Sequence, residues 1–452
     1  MFEGSNRNAV VARCSGYRHP LLEAMTLFMA PFVSRECGWS SYRVMLACVL
    51  LSWEDAVSIV ERFEVVREFL HHALPRTRGR IRGRGRGRGR GRRLGCSYQG
   101  LAKAMLRHGE GLIRQVQQHL RLESMARCGA ARLRHGIEAV AVDGSRFDAP
   151  RTVSNEAGFG IAGKKGTHPQ MMVTSIWHMG TGLLWDWILG CARASERSHL
   201  RQMIQTLPLA CLLVLDAGFT GYGLMRQVLD SGRHVLVRVG SNVNLLVQKG
   251  DRARVMHRGG LVWLRVKGEQ PILLRLVVIN TGRHPVYLVT DILDKSVLSD
   301  GQIAELYAMR WGIEVFHRQA KQTLNRRKMR SASADRAKLE MHWTLVGLWL
   351  LMLLTAAELV ARGIDPLDLS VAQAAKAMRR WIRRPGSRTS LRQLRRALRP
   401  CVKDKAPRRA SKQSHRWPHK KRQSPPKPPR LREVDPQQLT ICQRLPASKA
   451  AA

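Results

Sequence analysis

Two apolar runs, each ending in an aspartate close to a glycine, constrain this 452-residue chain more than any other feature. The first, IEAVAVDGSRF, runs from Ile137 to Asp143 and meets Gly144 and Ser145, where the backbone is expected to turn or tighten. The second, ACLLVLDAGF, reaches Asp216 just before Gly218. Short runs rich in Val and Leu, bounded by turn residues, read as strands buried within an α/β sheet. Ligands of open α/β sheets gather at the ends of such strands. An unpaired carboxylate placed there costs on the order of several kcal/mol, so two at matching strand ends point to a shared task.

The surrounding sequence supports an α/β core. Gln170 to Gly180 and Gly182 to Gly190 are apolar runs around MGTG, which reads as a hairpin. Ser195 is placed to cap a helix with Glu196 in its first turn, and Pro208 to break it. Tyr222 to Leu229 reads as the next helix and His234 to Val239 as the next strand. Residues 241–300, with LVWLRV and ILLRLVVI broken by Gly-Gly and Asn-Thr-Gly, read as a β-rich insertion. The core is then expected in two parts, 137–240 and 301–362. Residues 1–75 read as a helical N-terminal domain that fits DNA-end recognition and scaffolding equally, and 94–136 as a helical connector. Residues 363–452 read as a basic, largely disordered C-terminal tail with helices at Val371 to Arg384 and around Leu391 to Leu398.

The second part of the core opens with YAMRWGIEVFHRQAK, Tyr307 to Lys321. Coiled as one helix, it projects Tyr307, Arg310, Glu314 and Lys321 within roughly 60° of one another. Met309, Ile313, Phe316 and Ala320 cluster roughly 120° away, so the helix can pack on a core while holding polar groups at its edge.

Charge points to a polyanionic partner. The formal net charge is +44 and the pI about 11.4, which places nucleic acid ahead of a membrane surface. About +30 of it lies in residues 76–93, an alternating Arg/Gly linker, and 379–432. Such a linker cannot bury a core; it suits phosphate without sequence preference, or no specific role. Nine scattered cysteines without a CxxC pair give neither a disulfide framework nor a zinc site, and suggest a reducing, cytoplasmic setting. No secretory signal is expected. Trp343 to Ala357 is apolar but short of the ~20 residues a bilayer needs, so a buried core helix is expected and no membrane.

Asp143, Asp216 and Glu314 are three carboxylates from distant parts of one α/β core, enough to hold two hard divalent cations through oxygen, Mg²⁺ first. Arg310 and Lys321 would neutralise phosphate oxygens, and Tyr307 would add a hydroxyl donor. The spacing Tyr307-x2-Arg310-x3-Glu314-x6-Lys321 is similar to the Y-R-E-K signature of DDE transposases of the insertion-sequence-four superfamily. VDGSRF around Asp143 and VLDAGFTGY around Asp216 resemble its first and second acidic motifs, and the resemblance covers about 137 to 350. It implies an RNase H-like catalytic fold with a β insertion and two Mg²⁺ ions, Mn²⁺ being a possible substitute, held by Asp143, Asp216 and Glu314. Tyr307, Arg310 and Lys321 would contact DNA. The implied reaction is nicking at transposon ends and strand transfer by the freed 3′-hydroxyl, a cut-and-paste pathway that usually passes through a hairpin. The implied partners are double-stranded DNA, both terminal inverted repeats and target, and a second subunit in a synaptic homodimer. The implied setting is the cytoplasm, on the nucleoid.

Other candidates have plainer readings. Asp148 reads as a turn acid and Glu196 as a first-turn acid favoured by the helix dipole. GKKGTHPQ, with Lys164, Lys165 and His168, is a loop that either reaches DNA or is simply solvated. Trp263 is read as core packing rather than a stacking platform. Two further function classes compete: a non-enzymatic nucleic-acid-binding protein derived from a transposase, and a metal nuclease without strand transfer. The intact acidic triad favours an active transposase.

Overall fold

The computed structural model describes residues 19–32, 38–74, 97–163, 166–280, 284–384, 390–404, 427–435, 440 and 442. The Arg/Gly linker and much of the expected disordered tail lie outside them. Among the described residues, four α-helices come first: α1 (Pro20–Phe28), α2 (Ser41–Trp53), α3 (Ile59–Ala73) and α4 (Tyr98–Cys128). Ser58 and Glu61 form a reciprocal capping box at α3, satisfying two backbone donors that the helix start leaves free. Then come β1 (Leu133–Arg134), β2 (Ile137–Asp148), α5 (Val153–Phe159), the hairpin β3 (Gln170–His178) and β4 (Leu183–Gly190), and α6 (Glu196–Met203). They are followed by β5 (Leu212–Leu215), α7 (Tyr222–Asp230), β6 (His234–Val239), β7 (Asn244–Val247), α8 (Arg252–Arg258), β8 (Gly260–Leu264), β9 (Ile272–Ile279) and β10 (Val286–Thr290). The C-terminal part carries α9 (Asp300–Met309), α10 (Trp311–Arg318), α11 (Ala334–Val360), α12 (Val371–Ile382), α13 (Leu391–Leu398) and β11 (Arg430–Glu433).

These strands form one mixed sheet in the order β11-β7-β8-β9-β10-β6-β5-β2-β3-β4, with β1 paired to β2 off this path. Strands β2, β5 and β6 run parallel at its centre. Alternate residues of the central strands feed opposite cores. Ala139 and Ala141 of β2 and Leu212 and Val214 of β5 join one cluster, and Val140, Val142, Leu213 and Leu215 join the other. Burial on both faces is why these runs are continuously apolar.

Three expectations change. The first strand does not turn at Gly144: β3 pairs with β2 from Val140↔His178 to Asp148↔Gln170, which carries the strand five residues further. Residues 241–300 are β-rich as expected, but β10 pairs antiparallel with β6, so the insertion extends the central sheet instead of standing apart. Nor do the described helices within residues 1–75 pack by themselves. The buried helices α2, α3, α4 and α11 share one core, and the Trp53 indole donates a 2.7 Å hydrogen bond to the Gly347 carbonyl in α11. Helix α11 is long and apolar enough, by length and composition, to cross a membrane, and most of its apolar window is buried inside the protein.

The segment expected as tail is partly built into the fold. Met378 and Ile382 of α12 are buried. Arg379 donates to the carbonyls of Trp53 and Thr323, both at 2.7 Å, and Arg383 pairs with Glu54 at 2.6 Å. Two cations of the basic 379–432 segment, Arg379 and Arg383, therefore hold the N-terminal helices. Strand β11 pairs parallel with β7 and covers that edge of the sheet.

Candidate active site

The register of the parallel pair places the two aspartates. Ala141 of β2 lies opposite Val214 of β5, so two further residues bring Asp143 level with Asp216. The Asp216 carboxylate accepts the Gly218 N–H at 2.8 Å, which caps the short 3₁₀ turn Ala217–Phe219 and fixes its orientation. Asp143 lies opposite Ser175 of β3. The buried His317 ring reaches both: its Nδ1 stands 3.5 Å from Oδ2 of Asp143 and its Nε2 3.2 Å from the Ser175 hydroxyl.

The stripe sequence is not one uninterrupted helix. Helix α9 ends at Met309, α10 begins at Trp311, and Gln319–Thr323 closes in a π-helical turn, a local form that recurs at functional sites. The expected apolar face is present, with Ile313, Phe316 and Ala320 buried and Met309 packed against the same core. Gly312 lets α10 approach β3, because a Cβ there would lie 2.2 Å from the Trp177 ring. On the polar edge, Arg310 donates to Glu314 at 2.9 Å and lies over the Tyr307 ring, 5.6 Å from its centroid. Burial opposes the Arg310 charge, but Tyr307, Glu314 and Asp216 together raise its pKa. Neither the Tyr307 hydroxyl nor the Arg310 Nε, both buried, has a hydrogen-bond partner among the described residues. Lys321, in the π turn, donates to the Ser145 hydroxyl at 2.8 Å and sits 4.9 Å from the Phe147 ring centroid. Burial lowers the Lys321 pKa and Arg327 adds to the shift, while Asp148 and Asp143 oppose it.

Arg310 and Glu314 thus pair beside the Tyr307 ring, Lys321 reaches Ser145 of β2, and the charges of Asp216 on Arg310 and of Asp143 on Lys321 put the six side chains in one region of the sheet. Three other residues, His317, Ser175 and Glu196, lie beside Asp143 or Gly144 in the structure. His317 lies three residues after Glu314 on the flank between the polar stripe and the apolar face, and that spacing was the available signal. Ser175 carries no local signal, since only strand pairing brings it opposite Asp143. Glu196, read as a helix first-turn acid, does open α6, but its carboxylate also lies over Gly144: a Cβ at Gly144 would stand 2.2 Å from its Oε1. Asp148 is a strand residue, not a turn acid, and accepts from the Gln170 amide at 2.9 Å. His168 pairs with the Thr167 hydroxyl at 2.8 Å, and Lys164 and Lys165 lie outside the described residues. Trp263 is core, packed with Val434 and Cys442.

Among the described residues, no three His, Cys, Asp or Glu side chains already stand close enough to cage an ion. The donor chemistry nonetheless fits hard divalent cations, since Asp143, Asp216, Glu314 and Glu196 all offer oxygen. Burial first, then the charges of Asp143 and Asp216, raise the Glu196 pKa, with Arg146 opposing. A cation among these acids would relieve that crowding.

Residues 134–350 match the family model described as a transposase DDE domain. The chain is 25% identical over 206 residues to transposase InsG for insertion sequence element IS4 of Escherichia coli (strain K12), a match covering 43% of this chain and 46% of that relative. It therefore spans less than half the length of that curated protein. A solved piggyBac transposase synaptic complex with hairpin DNA is similar at a TM-score of 0.40 and 12% identity over 90% of each chain. The family match covers Asp143, Asp216 and the whole Tyr307 to Lys321 signature, so the stretch that carries every residue singled out above is the stretch similar to a transposase DDE domain.

Proposed function

We propose that this protein is a DDE transposase with an RNase H-like core, cutting the ends of a mobile DNA element and joining them to target DNA. The observation that carries this reading is the level placement of Asp143, on β2, and Asp216, one residue past the end of the adjacent parallel strand β5, beside the helix that bears Glu314. These three carboxylates would hold a pair of Mg²⁺ ions, with Mn²⁺ as substitute. When bound, the ions would supply Lewis-acid stabilisation to the attacking and leaving oxygens of an in-line phosphoryl displacement.

The chain's own groups account for the rest. Arg310 is held by Glu314 and stacked on Tyr307, so its charge is fixed beside the acids, where it would neutralise a phosphate oxygen. The unpartnered Tyr307 hydroxyl and Arg310 Nε are donors left over for such an oxygen. Lys321, fixed on Ser145, brings a second cation to the Asp143 side. His317 orients Asp143 from beneath. The proposed substrates are double-stranded terminal inverted repeats and target DNA, handled by a homodimer that synapses two ends in the cytoplasm, on the nucleoid.

The test is incubation of the purified chain with a duplex carrying the element's own terminal repeat, with Mg²⁺ and with EDTA. The expected result is metal-dependent strand breakage that leaves a 3′-hydroxyl able to join a second duplex. Retained binding with no breakage under any divalent metal would favour a non-enzymatic DNA-binding protein, and breakage without joining a nuclease.

A further inference from the structure

Glu196 has a placement that helix capping does not explain. It is the first residue of α6, on the face of the sheet opposite α10, and its side chain lies over the one β2 position beside Asp143 that has no side chain of its own. The Gly144 backbone does not need glycine's freedom, because its φ is not among the positive values. What glycine supplies is space: a Cβ would stand 2.2 Å from Oε1, 2.6 Å from Cδ and 2.7 Å from Cγ of Glu196. In that cradle the Glu196 pKa is raised, first by burial and then by the charges of Asp143 and Asp216. Arg146, two residues beyond Gly144, is the cation that acts on it, while its guanidinium Nε is engaged with the Ala192 carbonyl at 3.0 Å. Folding has brought a third acid within the field of two others, with Arg146 as the opposing charge, an arrangement that costs stability unless a cation completes it.

We propose that Glu196 is a fourth acidic member of the metal site, an oxygen donor that reaches past Gly144 to the ions held by Asp143 and Asp216. The proposal rests on the metal-dependent reading above and assigns Gly144 a purpose within it: the glycine is the gap through which the second face of the sheet contributes to the site. Glu314 and Glu196 then approach from opposite faces, with the two aspartates between them.

The test is Mn²⁺ binding to the purified full-length chain, read by calorimetry, alongside the metal-free melting temperature. Wild type is compared with Glu196→Gln, Gly144→Ala and Asp143→Asn. Glu196→Gln keeps the shape of the side chain and removes its charge. Gly144→Ala keeps the charge and pushes the flexible carboxylate aside. The expected result is Mn²⁺ binding weakened by about tenfold or more in both, with the double variant no weaker than either, and the metal-free melting temperature of Glu196→Gln unchanged or raised. Wild-type Mn²⁺ binding in Glu196→Gln and Gly144→Ala, with loss in Asp143→Asn, overturns the role of Glu196 and leaves the metal reading standing. Wild-type binding in all three overturns both. A lowered metal-free melting temperature in Glu196→Gln, with wild-type Mn²⁺ binding in Gly144→Ala, makes Glu196 a structural residue and overturns the proposal.

Discussion

His317 stands with its Nδ1 3.5 Å from Oδ2 of Asp143 while its Nε2 lies 3.2 Å from the Ser175 hydroxyl, so one buried ring ties the helix of Glu314 to two strands. Outer partners of this kind set the orientation of a ligating carboxylate, and their loss typically costs about 10–100-fold. His317→Ala is expected to slow DNA end cleavage by that order while leaving DNA binding in place. Single-turnover nicking checks it, and a wild-type rate would remove His317 from the site.

Gly312 is where the Glu314 helix touches the sheet. Gly312→Ala places a Cβ 2.2 Å from the Trp177 ring, whose indole N–H is also held by the Gly182 carbonyl at 2.8 Å and so cannot easily yield. Overpacking of this kind costs about 1–3 kcal/mol. The expected outcome is a lower urea midpoint together with reduced cleavage, since α10 must move away from Asp143. An unchanged midpoint would mean the contact is looser than described.

Lys321 illustrates a conflict between stability and function. Burial lowers its pKa, so the fold disfavours the ammonium, and at neutral pH that charge is a cost. Lys321→Met is expected to melt at the same temperature or higher and to lose cleavage and end binding. A lower melting temperature would show that the Ser145 bond and the Phe147 contact outweigh the desolvation.

His342 makes the fold acid-sensitive. It is almost fully buried in α11, accepts the Trp187 indole N–H at 2.9 Å, and its pKa is lowered from 6.5 to about 4, chiefly by burial. A depressed pKa favours the neutral ring in the folded state. The associated stability is present above pH 6.5 and is lost as pH falls toward 4, on the order of 3 kcal/mol in all. His342→Gln keeps an acceptor and cannot titrate, so its stability should fall less between those pH values. Parallel urea titrations at pH 7 and pH 4.5 measure the difference, and identical losses would contradict it.

What the sequence disclosed follows from how local each signal is. The apolar strands that carry Asp143 and lead into Asp216, and the buried face of the Tyr307 to Lys321 stretch, were legible because buried strands and amphipathic helices write their periods into neighbouring residues. The continuation of β2 past Gly144 was not: a glycine beside a serine reads as a turn, and only the pairing partner, nine residues of β3, holds the strand extended. Glu196 does open α6, as its sequence position suggests, but its contact with Gly144 was hidden for the same reason. Its position in a helix first turn is a local fact, whereas its contact with Gly144 spans two strands and a loop. The N-terminal helices appeared independent because the bonds that fix them, Trp53 to Gly347 and Arg326 to the Leu51 carbonyl, join residues hundreds of positions apart.

The account stands or falls on the three acids acting together. The direct measurement is Mg²⁺-dependent cleavage at the element's own terminal repeats by wild type, Asp143→Asn, Asp216→Asn and Glu314→Gln, with DNA binding followed in the same samples. Cleavage reduced to background in all three with binding retained is the predicted result. Undiminished cleavage in any one of them would contradict the shared metal site.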